Sequence, residues 1–118
     1  MAQYAVLIYA SDSAHAPDAT AADTETCDQH ADELVGQDAM LAAYAFTPRE
    51  LARSVRAGGV THGPFLDAPE VVAGVYIVEA PDLDAALAIA ATNPAIHEGG
   101  GVEVRPVHSG GVVPRADR

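Results

Sequence analysis

The sequence contains no lysine and no tryptophan, a single cysteine and two phenylalanines in 118 residues. With Cys27 alone, an intrachain disulfide is excluded and a cysteine-based zinc site cannot form. Nothing at the N-terminus has the basic start and long apolar stretch of a secretory signal. The longest apolar run, Val71 to Val78, is interrupted by Gly74 and falls far short of the ~20 residues a membrane helix needs. A cytoplasmic protein with no membrane partner is the expectation. Positive charge is equally scarce: six arginines face seventeen acids, for a net charge of −11. A surface this negative repels phosphate backbones and no stretch clusters several bases beside aromatics, so a nucleic-acid partner is not expected. Anionic membrane surfaces are disfavoured for the same reason. The acids are unevenly spread, with no base at all before Arg49, and read most simply as a solubility device.

What is present is a foldable single domain. A composition 49% hydrophobic and 19% charged rules out global disorder, and the length supports one core. We expect the domain over residues 1–108 and a tail over 109–118. Gln3 to Ala10 is a β-branched and aromatic run, hence a buried strand. A loop rich in Ser, Asp, Ala and Pro follows. Thr20 to Gln37 reads as a helix whose Cys27, Ala31, Leu34 and Val35 fall at helical spacing. Ala39 to Phe46 fits strand or helix. Thr47-Pro48-Arg49-Glu50 has the form of a capping box with proline at the first helical position, which predicts a short helix over Pro48 to Val55. The same stretch, with Gly58-Gly59 and Val60 to His62, also fits a hairpin. Glu70 to Ala80 is the strongest strand. Asp82 opens a helix ended by Asn93-Pro94, and Val102 to Val107 alternates as a half-buried last strand. The order is a split β-α-β layout with both helices on one sheet face. The other face then needs a cover, which predicts a homodimer with a cavity between sheets.

The stretches HGPF (His62 to Phe65), AGVYIVE (Ala73 to Glu79), DLDAALAIA (Asp82 to Ala90), NPA (Asn93 to Ala95) and VEVRPV (Val102 to Val107) resemble the DGPF branch of the YCII-related proteins. The opening QYAVLIYA is similar to that family's first strand. The resemblance implies an α+β fold, ferredoxin-like β-α-β-β-α-β with an extra hairpin arm, assembled as a dimeric α+β barrel. It also implies that Leu51 to Arg56 and Val60 to His62 form the arm, against the local capping signal. Two departures stand out. His62 replaces the aspartate that usually opens the family's loop, which brings an imidazole to that loop. In the YciI branch, a helix histidine works with an aspartate before proline; here His30 matches the first, but Asn93 stands in the second place and cannot act as a base.

The residues suggest acid–base chemistry. His62, followed by the rigid Gly63-Pro64, is the candidate base, and Asp67 is near enough in sequence to orient its ring. His30 lies on the inner stripe of its helix and is the candidate acid or relay. Arg105 is the candidate binder of a substrate oxyanion, or else an ion-pair partner of Glu103. Tyr9 and Tyr76 supply phenols, and Phe65 an apolar wall. The five histidines show no His-x-x-x-His, His-x-His or carboxylate-triad spacing, so no metal is expected. Gly99 to Gly101 lacks the strand and helix of a phosphate cradle, so no organic cofactor is expected either. These features favour a cofactor-free lyase- or isomerase-like enzyme carrying out elimination, isomerisation or cyclisation on a small oxygenated cyclic metabolite. The family's links to dehydrohalogenation point the same way by resemblance. Its occurrence beside sigma factors implies the alternative: a ligand-binding or regulatory protein docking on such a partner through its acidic first half.

Overall fold

A computed structural model describes residues 2–36 and 39–113, without the side chains of residues 26–28, 31 and 33–36 inside the first helix. The elements run β1 (Ala2–Ala10), α1 (Ala21–Gly36), β2 (Met40–Ala45), a 3-10 turn (Arg49–Leu51), β3 (Arg53–Arg56), β4 (Gly59–His62), β5 (Val71–Ala80), α2 (Leu83–Ala90), a second 3-10 turn (Pro94–Glu98) and β6 (Gly101–Pro106). The main sheet has the order β2-β5-β1-β6, with every neighbouring pair antiparallel. β1 and β2 are therefore parallel and joined through α1, and β5 and β6 are parallel and joined through α2. This is a ferredoxin-like α+β fold with a separate β3–β4 hairpin inserted between β2 and β5.

The two longest strands, β1 and β5, occupy the centre, where flanking strands satisfy both edges of their backbones. Tyr4, Val6 and Ile8 stand opposite Val78, Tyr76 and Gly74. Residues directly opposite share a face, so these six point toward the helices. There Tyr4, Val6, Tyr76 and Val78 pack with Ala86 and Ala90 of α2 to make the core. Small alanines on α2 let the helix lie close to the sheet. Asp82 caps that helix as expected, its side chain accepting from Ala85 N at 2.8 Å. The opposite face carries Ala5, Leu7 and Tyr9 of β1, Val75 and Ile77 of β5, Tyr44 of β2, and Glu103 and Arg105 of β6. No element of this chain's helical layer covers it, and Tyr44 is 64% exposed.

Where the local capping signal predicts a helix over Pro48 to Val55, the chain forms a single 3-10 turn followed by the hairpin arm that the family resemblance implied. Thr47 does not cap it: Pro48 occupies the N-cap without a side-chain bond. Asp12, from the loop after β1, instead accepts from Arg49 N at 2.8 Å. The hairpin wins because it gives the backbone better partners than a helix would. Gly63 N–H donates to Ala52 O at 2.8 Å, the buried Ser54 hydroxyl donates to Gly63 O at 2.8 Å, and Gly59 takes the positive φ of 133° that closes the turn. Local propensity is overridden by these long-range bonds.

Arg49 ties the insertion down. Its guanidinium donates to Ser11 O at 3.1 Å, Ala68 O at 2.9 Å and Pro69 O at 3.5 Å. The Ser13 hydroxyl adds a bond to Phe46 O. The loop after β1 is thereby fixed between β2 and the arm. Among the described residues, no helix is long and apolar enough to cross a membrane.

Candidate functional site

Between the helix-bearing face of the sheet, α1 and the Pro94–Glu98 turn lies a cavity of about 330 Å³. That is at the small end of the roughly 300–1,000 Å³ typical of small-molecule pockets. Its walls are mostly apolar, from Ile8, Met40, Ala43 and Ala95, and its polar groups are His30, Tyr76 and Asn93. Asp12, Ser13, His15 and Glu98 also line it.

Each buried polar group is placed by a separate local device. Tyr76 belongs to the central strand and is 3% exposed. Its hydroxyl is buried and has no hydrogen-bond partner among the described residues. Burial pushes the phenol above its usual value, and a hydrogen-bonding approach of the Asn93 amide, too loose to count as a formed bond, pulls it partly back. The phenol therefore stays protonated at neutral pH and acts as a donor. His30 sits on α1, 8% exposed, with its ring edge-on to Tyr76 at 6.0 Å between centroids. Its Nε2 lies 2.8 Å from Thr92 Oγ1. The Thr92 hydroxyl donates to Ile89 O at 2.7 Å, so its one proton is committed and its oxygen accepts. Nε2 is consequently the donor in this bond, which holds the plane of the ring.

Asn93 is 5% exposed and caps the second 3-10 turn, its Oδ1 accepting from Ala95 N at 2.9 Å. That bond determines which end of the amide is oxygen. The NH₂ group is the donor that remains. The turn's approach to the sheet depends on Gly100, because a Cβ there would run into the Tyr9 carbonyl oxygen. At the mouth, Asp12 is held below the usual carboxylate range by bonds from Arg49 N–H and Ser13 N–H, helped by the Arg49 charge.

The residues singled out from the sequence fall into three places. His30 and Tyr76 meet in this cavity. Tyr9 and Phe65 line a second one, of about 840 Å³, between the opposite sheet face and the arm, together with Arg49 and Phe46. Phe65 also stacks under Arg56, whose guanidinium carbon lies 3.7 Å from the ring centroid. His62 is exposed at the end of β4, opposite Arg53. Asp67 is bonded to Arg49 at 3.4 Å rather than to His62, because the arginine already binds the two carbonyls beside it. Neither His62 nor Asp67 lines either cavity. Arg105 lies on an edge strand, 3.5 Å from Glu103, and also lines neither. Cys27's side chain lies outside the described residues.

Sequence reasoning passed over Thr92, His15 and the use of Asn93 as a donor. The Asn93-Pro94 pair is a recognisable cap signal, and it alone could have pointed to this turn. Among the described residues, no group of three or more His, Cys, Asp or Glu is arranged to hold a metal ion. A family model for the YCII-related domain matches residues 2–109. No curated protein matches the chain significantly.

Proposed function

Since the chain belongs to the YCII-related domain family, we propose that it is an acid–base enzyme acting on a small oxygenated, ring-sized metabolite in the His30 cavity. The observation that carries this reading is the Tyr76 hydroxyl, buried without a protein partner beside His30. A buried unbonded donor costs about 1–3 kcal/mol, a cost that a bound ligand's oxygen removes. In this reading His30 moves the proton, Thr92 holds its ring, and Tyr76 and the Asn93 NH₂ steady the oxygen on which negative charge develops. A lyase or isomerase step on a C–H next to a carbonyl needs only these groups. A positioned acid–base residue contributes typically ~10²–10⁴-fold. The proposed working form is a cytoplasmic homodimer, in which a second copy covers Leu7, Tyr44, Val75 and Ile77 on the open face. The acidic mouth and six arginines offer nothing for nucleic acid.

Hydrogen exchange into a simple cyclic ketone tests this. With cyclohexanone in D₂O, wild-type protein should accelerate α-deuteration above the buffer rate, and His30→Gln should lose ~10²-fold or more of the acceleration. Equal acceleration by the two proteins would overturn the role of His30. Substituting His62→Gln in parallel should leave the rate unchanged.

A further inference from the structure

The cavity's polar groups differ in kind from those at its mouth, and the difference specifies a ligand. Inside, beside His30, are donors: the Tyr76 hydroxyl, buried and with no fully formed hydrogen bond among the described residues, and the Asn93 NH₂, which lies toward that hydroxyl and whose amide oxygen is already taken by Ala95 N. At the rim are the carboxylates of Asp12 and Glu98, and among the described residues no arginine lines the cavity. Arg49, whose backbone N–H donates to Asp12, has its guanidinium spent on Ser11, Ala68 and Pro69 carbonyls.

We infer that the cavity selects an uncharged ligand presenting a carbonyl-type oxygen, read jointly by Tyr76 and Asn93, and rejects carboxylate-bearing analogues. This rests on the cavity being the site of action, as argued above. A carbonyl oxygen has two lone pairs and accepts two donors at once. A carboxylate entering the same space would lose its hydration with no arginine among the described residues to replace it, and would pass between two acids on the way. The asparagine is the specificity-determining residue. An aspartate at position 93 would still cap the turn through Ala95 N. It would, however, present an acceptor where a donor now stands, and would take the Tyr76 proton for itself.

The test compares cyclohexanone with 4-oxocyclohexanecarboxylate, which differ only by the charged group. Binding is followed by chemical shifts of Tyr76 and His30 at pH 8. Wild type should prefer the neutral ketone at least tenfold, and Glu98→Gln should narrow that preference at low salt. Asn93→Asp, which retains the cap, and Tyr76→Phe, which retains the ring, should each weaken ketone binding at least tenfold. Equal binding of both probes in the cavity, or undiminished ketone binding by Asn93→Asp, overturns the selection while leaving the site in place. Failure of cyclohexanone to move Tyr76 or His30 overturns the site itself, and the selection with it.

Discussion

Replacing Tyr76 by phenylalanine removes one oxygen atom from the centre of the domain and should make the protein more stable. The ring, its edge-on contact with His30 and its packing against Tyr4, Val6 and Val78 are all retained. What disappears is a hydroxyl buried without a protein partner, and leaving such a group unpaired costs about 1–3 kcal/mol. Part of that is recovered as lost donor desolvation and part is offset by the small void left behind, so a net gain of about 1 kcal/mol is expected. For a domain of this length that corresponds to a rise of roughly 4 °C in Tm. Urea and thermal unfolding of both proteins at pH 7 measure it directly. The same variant should lose ketone binding, so stability and function move in opposite directions, as they do where a site stores an unsatisfied group. A loss of about 1 kcal/mol or more on removing the hydroxyl would refute the reasoning, because it would mean the oxygen is bonded in the free folded protein.

Two further outcomes follow from the surroundings of the site. Asp12 titrates below its ordinary value of 3.8 in the folded chain, so its contribution to stability is complete above that pH and is lost as pH falls through the lower, folded value. The stability difference between wild type and Asp12→Asn, followed by urea midpoints from pH 6 to 2, should therefore shrink toward the acid end; a constant difference contradicts the assignment. Gly100→Ala should destabilise by about 1–3 kcal/mol, since its Cβ has to displace the Tyr9 backbone, and an unchanged Tm would show that the turn is free to move away.

Much of the architecture was legible in the residues. The β-branched runs at Ala2–Ala10 and Val71–Ala80, the Asp82 cap and the alternation at Gly101–Pro106 each carry a local cause for the element they form. The stretch after Pro48 was ambiguous in the residues, its capping box competing with a hairpin at Gly58-Gly59, because the bonds that decide it, Gly63 N–H to Ala52 and Arg49 N–H to Asp12, are not announced by sequence proximity. The site divides the same way. His30 could be placed on the inner side of α1 by spacing, and Tyr76 on a strand, but the bond from His30 to Thr92 spans 62 positions and depends on how α1 and α2 lie on the sheet. His62 drew attention through the rigid Gly63-Pro64 that follows it, yet backbone rigidity says nothing about which way a side chain faces. Asp67 could be matched with His62 by nearness alone, while its actual partner, Arg49, is fixed mainly by backbone carbonyls that leave no trace in residue type.

The central claim is that ligand enters on the helix-bearing side, beside His30. The most direct measurement is chemical-shift mapping of the whole chain with cyclohexanone. The account predicts perturbations centred on His30, Tyr76, Asn93 and Ala95. Perturbations centred instead on Tyr9, Phe46, Phe65 and Arg49 would place the site in the other cavity, against the arm, and would contradict it.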